Sequence, residues 1–410
     1  MPNCTTCANA KEMKKYVFLT PAIANFGGSQ MYTANKAEYL ERHGWEVIVF
    51  YTAKYNDYKI PYLKKFKDNF VESFIHYEPK SLPSFESKPI IEKIKKTVGT
   101  ADEIVLESHF LWLALWGEII AKEIGARHIV NFLEEPVRDY TPREYAFWEF
   151  KLKRWEFQNA GEWSLKRVFK SHFKVDYLQY QNIMSYPCSN VIDYNTKYPL
   201  VNDGSNYRIL SIGRLDKPYI DPMIDQIIEF GKKHTDISLS LYFVGGSNNA
   251  EKEISIPKRF ELCPNIKCYM LGYTFPVPAN LVLACDMGLA SSNSVLVSAD
   301  EGIPTISIDM NDYKAIGVYG YDTNRKVTRI NEKQKEISFL MERILIEGCY
   351  PKGQYKADHT KEFEDAFDKE MLFIEKSVGN TGYYDILSMY SFKELAIARL
   401  KWFAHTKLGL

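Results

Sequence analysis

Apolar and polar positions alternate between two rhythms along this chain, and each change of rhythm marks an element. Tyr16 to Leu19 reads as a short β-rich run, Gly27-Gly28-Ser29 breaks it, and Met31, Ala34, Ala37 and Leu40 then recur at helical spacing. Gly44 stops that helix and Trp45 to Tyr51 supplies the next strand, so the segment has the content of one βαβ unit. A less regular stretch rich in Lys, Tyr and Pro runs from 52 to 88. Ile104 to Leu106 then reads as a strand ending at Glu107-Ser108-His109, Phe110 to Ile124 as an apolar helix closed by Gly125, and His128 to Leu133 as a strand ending in Glu134-Glu135-Pro136.

Residues 142 to 174 are helical in pattern and interleave Trp148, Phe150, Trp155, Phe157, Trp163, Phe169 and Phe173 with lysines and arginines. Such a stretch fits either a basic, aromatic-anchored helix on an anionic membrane or a helix pair whose aromatics pack inward. Residues 186 to 206, with Pro187, Pro199 and Gly204, read as a linker. The αβ rhythm then repeats: strand Tyr207 to Ile212, helix Tyr219 to Lys233, strand Leu239 to Val244, strand Ile266 to Met270, strand Met287 to Ala290, two helical turns from Ser294 to Glu301, and strand Thr305 to Ile308. Glu332 to Glu347, Lys361 to Lys376 and Tyr383 to Phe403 look helical. The predicted class is α/β: two Rossmann-like domains facing a cleft, with a mainly helical C-terminal region.

Composition changes this picture little. At 410 residues the chain is long for one core, and domains of roughly 150 to 200 residues are expected. Fifty-two basic residues balance fifty-two acidic ones, so no overall field points to nucleic acid as a partner. Seven scattered cysteines give no pairing framework and read as reduced thiols, and no run is long and apolar enough to span a bilayer. A cytoplasmic protein is expected.

Candidate chemistry gathers after the strands. Gly213-Arg214-Leu215-Asp216-Lys217, Val244-Gly245-Gly246, Leu271-Gly272-Tyr273 and Ser291 to Pro304 each follow an apolar run, where backbone amides and cations can collect around a diphosphate. In the first half, Gly27-Gly28, His109 and the Glu134-Glu135 pair are expected on one rim. His109 there serves either as a structural hydrogen-bonder or as a group in the chemistry, and a carboxylate such as Glu134 could orient an acceptor hydroxyl.

In this order and spacing the second half resembles the donor-binding domain of family 4-type glycosyltransferases of GT-B fold, most specifically at Ser211-Ile212-Gly213-Arg214-Leu215-Asp216 with Lys217. Thr20 to Tyr51 and Pro187 to Asp193 resemble that family's first glycine loop, helix and strand, and its interdomain segment. The resemblance implies that Arg214 and Lys217, with Gly213, clamp a donor diphosphate and that Gly272-Tyr273 hold the base. It further implies that His109 lies near the donor sugar and that Gly27-Gly28 line the cleft. Asn293 or Ser294 could cap the following helix and contact phosphate, and Gly245 and Glu301 join the nucleotide-binding set. No metal or cofactor is implied; the nucleotide-diphosphate sugar is the donor substrate.

One departure stands out. The family usually carries two spaced glutamates before a Gly-x-Pro; counting back from Gly302-Ile303-Pro304, the second falls on Val297, and the loop for the first shortens to Ser291-Ser292-Asn293-Ser294. Expected boundaries are a tail 1–14, an acceptor domain 15–190, a linker 191–206, a donor domain 207–380 and a helix 381–410 returning to the first domain. The expected function is retaining glycosyl transfer to a hydroxyl acceptor, in surface polysaccharide or glycolipid synthesis, peripheral at the inner membrane face through residues 142–174. Two alternatives stay open: an inactive nucleotide-sugar-binding or regulatory partner, and a two-domain sugar-nucleotide epimerase.

Overall fold

A computed structural model of the protein describes residues 12–24, 27–53, 58–71, 74, 77–133, 140–159, 184, 186–188, 191–247 and 250–409. By packing, the chain divides into two units, Met1–Pro187 with Glu364–Leu410, and Cys188–Phe363. Each is an α/β unit of Rossmann-like strand order.

In the first unit, strands β1 (Lys14–Thr20), β2 (Glu46–Tyr51), β3 (Glu103–His109), β4 (Arg127–Phe132) and β5 (Phe157–Asn159) form one sheet in the order β2-β1-β3-β4-β5, all parallel. Helices cover both faces, which is why the strands read as apolar runs rather than as strict alternation. Val17, Leu19, Ile48 and Phe50 pack with residues of the helices Ser84–Val98 and Leu111–Ile124, while Val130 and Phe132 meet Trp148 and Phe157. Leu111–Ile124 buries side chains on nearly all sides, and Gly125, at φ +68°, takes the left-handed turn that ends it. The helix Ser84–Val98 starts inside the stretch read as irregular, because Pro89 within it breaks the expected pattern.

The stretch 142–174 needs correction. Its described part is a helix, Pro142–Lys153, started by a Thr141–Glu144 capping box, followed by β5; residues 160–174 lie outside the described residues. Trp148 and Phe157 are core, and Lys151 is 1% exposed, bonded to Glu118 and Glu156 at 2.8 Å each. The aromatics turn inward because the strand β5 they precede must be covered. This part therefore presents no free basic, aromatic face to a membrane.

In the second unit, β7 (Tyr207–Ile212), β8 (Leu239–Val244), β9 (Ile266–Met270), β11 (Met287–Ala290), β12 (Thr305–Ile308) and β13 (Ala315–Val318) run in the order β13-β12-β11-β7-β8-β9. Only β13 is antiparallel. Two short strands, β6 (Ile192–Asp193) and β10 (Val277–Pro278), pair separately. The helix Ile220–Lys233 buries Ile220, Met223, Ile224, Ile227 and Phe230, a one-sided stripe at helical spacing, against the sheet. Register sets Ile212 beside both Val244 and Ala290, so the segments after β7, β8 and β11 leave from one edge.

The buried Lys151 cluster yields a stability test. Lys151→Met should cost about 3–5 kcal/mol, because Glu118 loses its buried cation, whereas Lys153→Met, at an exposed side chain paired with Glu149, should stay within about 0.5 kcal/mol. Urea unfolding of both variants reads the contrast.

Candidate functional site

Strand order reverses once in each sheet, and those reversals locate the two candidate sites. Connections on either side of such a point run to opposite faces and leave a crevice beyond the carboxyl ends of the two central strands. In the second unit the reversal lies between β7 and β11. In the first it lies between β1 and β3.

At the second unit's reversal the loops after β7, β8 and β9 are bonded to one another through the backbone. Gly213 N–H donates to Val244 O (3.0 Å), Leu215 N–H to Gly246 O (3.0 Å) and Gly245 N–H to Gly272 O (2.8 Å). Gly245, at φ +147°, sits so close that a Cβ there would lie 2.0 Å from Gly213 O. Only glycine fits. Tyr273 packs its ring over Gly246, where a Cβ would lie 2.3 Å from it. The structure thus brings together Gly213, Arg214, Gly245, Gly272 and Tyr273 from three expected segments.

Arg214 and Lys217 are both half-buried at this edge. Arg214 Nε has a loose contact with Asp216 (3.5 Å), and among the described residues no carboxylate pairs with Lys217. Two lightly engaged cations beside a strand end are chemically suited to an anion: Arg offers a forked donor and Lys a point charge. Beyond β11, Asn293 does not cap the short helix Ser294–Ala299; its own backbone is already helical, and its side-chain amide donates to Cys188 Sγ at 3.0 Å instead. Burial pushes the Cys188 thiol pKa up, while the amide of Asn293 and the charges of Lys326 and Lys217 pull the other way. Asn293 and Lys217 therefore act on one thiol, which ties the segment after β11 to that after β7. Ser294, the first residue of the helix, is half-buried.

Val297 is fully buried among Leu210, Ile212 and Val244, so this position serves the core. Glu301 is 9% exposed and accepts a hydrogen bond from the hydroxyl of Tyr194 through Oε1. It is neither a solvated helix-end residue nor free of partners.

The first unit's reversal is filled differently. Leu19 pairs with Ser108 in the register, which sets Thr20 level with His109, and His109 Nδ1 lies 3.0 Å from Thr20 Oγ1. His109 Nε2 lies 2.9 Å from Glu107 Oε1, and the ring is fully buried. Glu107 Oε2 accepts from Lys36 Nζ (2.6 Å) and Tyr16 OH (2.6 Å). Lys36 also donates to Glu370 Oε2 at 2.6 Å, and Tyr32 OH donates to that same oxygen at 2.8 Å. Asn131 Nδ2 donates to Tyr32 OH and Glu107 Oε1. His109 is a member of a closed buried network. Gly27 and Gly28 lie at the start of the helix Gly28–Arg42, with Gly28 exposed, and Glu134 and Glu135 lie outside the described residues.

Charge in this network is unevenly shared. Burial alone would raise Glu107, but Lys36 and His109 outweigh it and hold the carboxyl well below the usual range. Burial raises Glu370 to about 7; Lys36 opposes the rise and Glu107 adds to it. Burial drives Tyr16 and Tyr32 well above their ordinary values, with Glu107 reinforcing it. Glu370 Oε1 and Asn131 Oδ1 are buried without a hydrogen-bond partner, which favours the protonated acid at Glu370. Sequence reading noted Glu107 but missed Lys36 and Glu370. A lysine one turn after Tyr32, on the face carrying Ala37 and Leu40, was the available signal for Lys36; Glu370 had none, being 334 residues away.

Elsewhere in the first unit, a cavity of about 880 Å³ is lined by Tyr77, Arg143, Tyr390, Glu394, Trp402 and His405, among others, and by none of the expected site residues. His43, Glu364 and Asp368 offer ligand atoms within 4.8 Å of one another, but Arg42 already pairs with Glu364 (2.6 Å) and Tyr39 bonds Asp368 (2.5 Å).

No family model matches the chain, and no curated protein matches it in sequence. Several solved structures are similar to it along most of its length. A lipopolysaccharide outer core galactosyltransferase, WaaB, in apo form is 15% identical, with 94% of this chain and 99% of that one covered at a TM-score of 0.47. A UDP-GlcNAc 2-epimerase from Neisseria meningitidis bound to UDP-GlcNAc is 13% identical, covering 88% and 100% at 0.46. MurG from Acinetobacter baumannii is 11% identical, covering 87% and 99% at 0.45. A transferase and an epimerase stand side by side here, and at these scores the likeness assigns neither activity.

The raised carboxyl gives a pH test. A group whose folded pKa of about 7 exceeds its unfolded value contributes stability that is present at low pH and lost as pH rises through about 7. Glu370→Gln keeps the neutral shape, so its stability relative to wild type should improve by on the order of 2–3 kcal/mol from pH 5 to pH 8, read from urea midpoints.

Proposed function

We propose that the second unit binds a nucleoside-diphosphate sugar at the β7/β11 reversal and that the protein is a glycosyltransferase passing the sugar to a hydroxyl acceptor. The observation that carries this reading is the pair of lightly engaged cations, Arg214 and Lys217, beside three loops held together by close glycine contacts. Departure of the diphosphate develops negative charge, and cations already in place lower that barrier without reorganising.

In the retaining reaction that the sequence resemblance implies, the bond from the sugar's anomeric carbon to the diphosphate breaks. The acceptor oxygen joins the same face of that carbon, and the acceptor proton passes to a diphosphate oxygen. Tyr273 and Gly272 would meet the base, Gly245 would let the backbone approach the nucleotide, and Glu301, steadied by Tyr194, would face the ribose. Asn293 and Ser294 would add polar contacts to phosphate. His109 serves this reading as a positioning residue for the β1/β3 edge, since both its nitrogens are engaged. Glu134 is the proposed acceptor-orienting carboxylate, with Gly27 and Gly28 lining the acceptor side, and the acceptor class is a glycan or lipid-linked glycan. A second reading, a nucleotide-sugar-binding protein without transfer, or an epimerase, is favoured by Val297, whose burial leaves no carboxylate at that position.

Calorimetric titration with uridine, guanosine, adenosine and cytidine diphosphates and their sugars tests the site. Arg214→Ala and Lys217→Ala should each weaken the best ligand about ten- to a hundredfold, the worth of a charged hydrogen bond. Unchanged affinity in both would sink the reading. Slow donor hydrolysis marks a transferase, conversion of the donor into its epimer marks an epimerase, and binding without turnover marks the inactive form.

A further inference from the structure

The helix Phe392–Phe403 is built in an unusual way for a soluble surface. Its Ser391–Glu394 capping box starts it firmly, yet among its own residues only Trp402 is buried. Phe392 is 88% exposed, Leu400 68% and Phe403 48%, and with Ala396 they recur every three or four residues, which puts them along one side. Leu408, in the helical turn Ala404–Leu408 that continues the helix, is 59% exposed. Phe85, whose ring meets Trp402 edge-on at 5.7 Å, is 66% exposed and extends the apolar surface from a neighbouring helix.

Charge is sorted around this stripe. Helical spacing sets Lys393 on one flank of it and Arg399 on the other, while Lys401 falls on the cavity side with Glu394. Among the described residues none of these three cations pairs with a carboxylate, and the half-buried Arg399 has its Nε out of solvent without a hydrogen-bond partner. Lys407 has a loose contact with Glu86, at 3.6 Å, and lies over the ring of Trp402, 5.7 Å from its centroid. The helix's single acid, Glu394, is committed elsewhere: it closes the capping box and pairs with Arg143 at 2.5 Å. The side that carries Trp402 faces the protein and helps line the cavity of about 880 Å³.

An apolar stripe with unpaired cations on its flanks and no acid of its own helix beside it is complementary to a plane that is apolar below and anionic at its surface. We propose that the helix Phe392–Phe403 docks this protein on an anionic lipid bilayer, with Phe392, Leu400 and Phe403 entering the acyl boundary and Lys393 and Arg399 meeting lipid headgroups. No helix among the described residues is long and apolar enough to cross a membrane, so the contact is one of lying on the surface. The inference goes beyond the nucleotide-sugar reading and stands without it, because it uses no residue of either strand-order reversal.

Co-sedimentation of the full chain with vesicles, in the absence of nucleotide, tests it separately. Wild type should bind vesicles of phosphatidylcholine with phosphatidylglycerol, release with added salt, and leave pure phosphatidylcholine largely unbound. Lys393→Ala should lower the partition coefficient about fivefold, and Leu400→Glu should abolish binding. Because these side chains are exposed, the variants should keep the wild-type melting temperature, which separates lost docking from lost folding. Lys153→Ala should bind as wild type. Absence of wild-type binding, or binding equal on both vesicle types and in all variants, would overturn the proposal. So would a wild-type dimer in light scattering that Leu400→Glu turns into a monomer without any vesicle binding.

Discussion

A single buried ammonium sets the terms for the first unit. Lys36 is wholly out of water and survives there only because Glu107 and Glu370 each stand 2.6 Å away. Burial pulls its pKa down, the two carboxylates more than restore it, and the rings of Tyr16 and Tyr32 lie within cation–π distance. Removing Lys36 or Glu107 would strand a charge in the interior, and Glu370 closes the third side of the ammonium, so the helix Gly28–Arg42, strand β3 and the helix His359–Glu375 are held to one arrangement. His109 and Thr20 inherit their positions from it. Polar side chains thereby fill the interior beneath the β1/β3 edge.

The second unit solves the same topological problem in the opposite way. Between β7 and β11 the backbone loops bind one another, and glycines remove the side chains that would intrude. What remains at the edge is two cations with little to do in the free protein. A site that is rigid in its main chain and unsatisfied in its charges is prepared for an anion, and the proposed nucleotide-sugar chemistry follows from that contrast more than from any single residue.

The strands of both sheets were largely legible, since fully buried parallel strands write themselves as short apolar runs with glycine after them. Tyr207–Ile212, Leu239–Val244, Ile266–Met270 and Thr305–Ile308 fall where the pattern set them. Strand order was not written in the pattern, and with it came the two crevices. The basic, aromatic stretch misled because burial of Lys151 depends on Glu118, a partner on another helix that spacing cannot reveal. Asn293 misled for a similar reason: a cap residue and a thiol partner look alike until Cys188 is placed beside it. The exposed stripe of Phe392, Leu400 and Phe403 needed the opposite knowledge, namely that these side chains stay exposed.

The discontinuity of the first unit has a consequence for the order in which the protein is made. A chain growing from its N-terminus carries Lys36 and Glu107 from early on, but Glu370 does not exist until the whole of Cys188–Phe363 has been synthesised. Until then the ammonium has one carboxylate and an open flank. The second unit, contiguous in sequence, has every one of its strands before the first can close its interior, so a late-made helix, His359–Glu375, acts as the keystone of the first-made sheet.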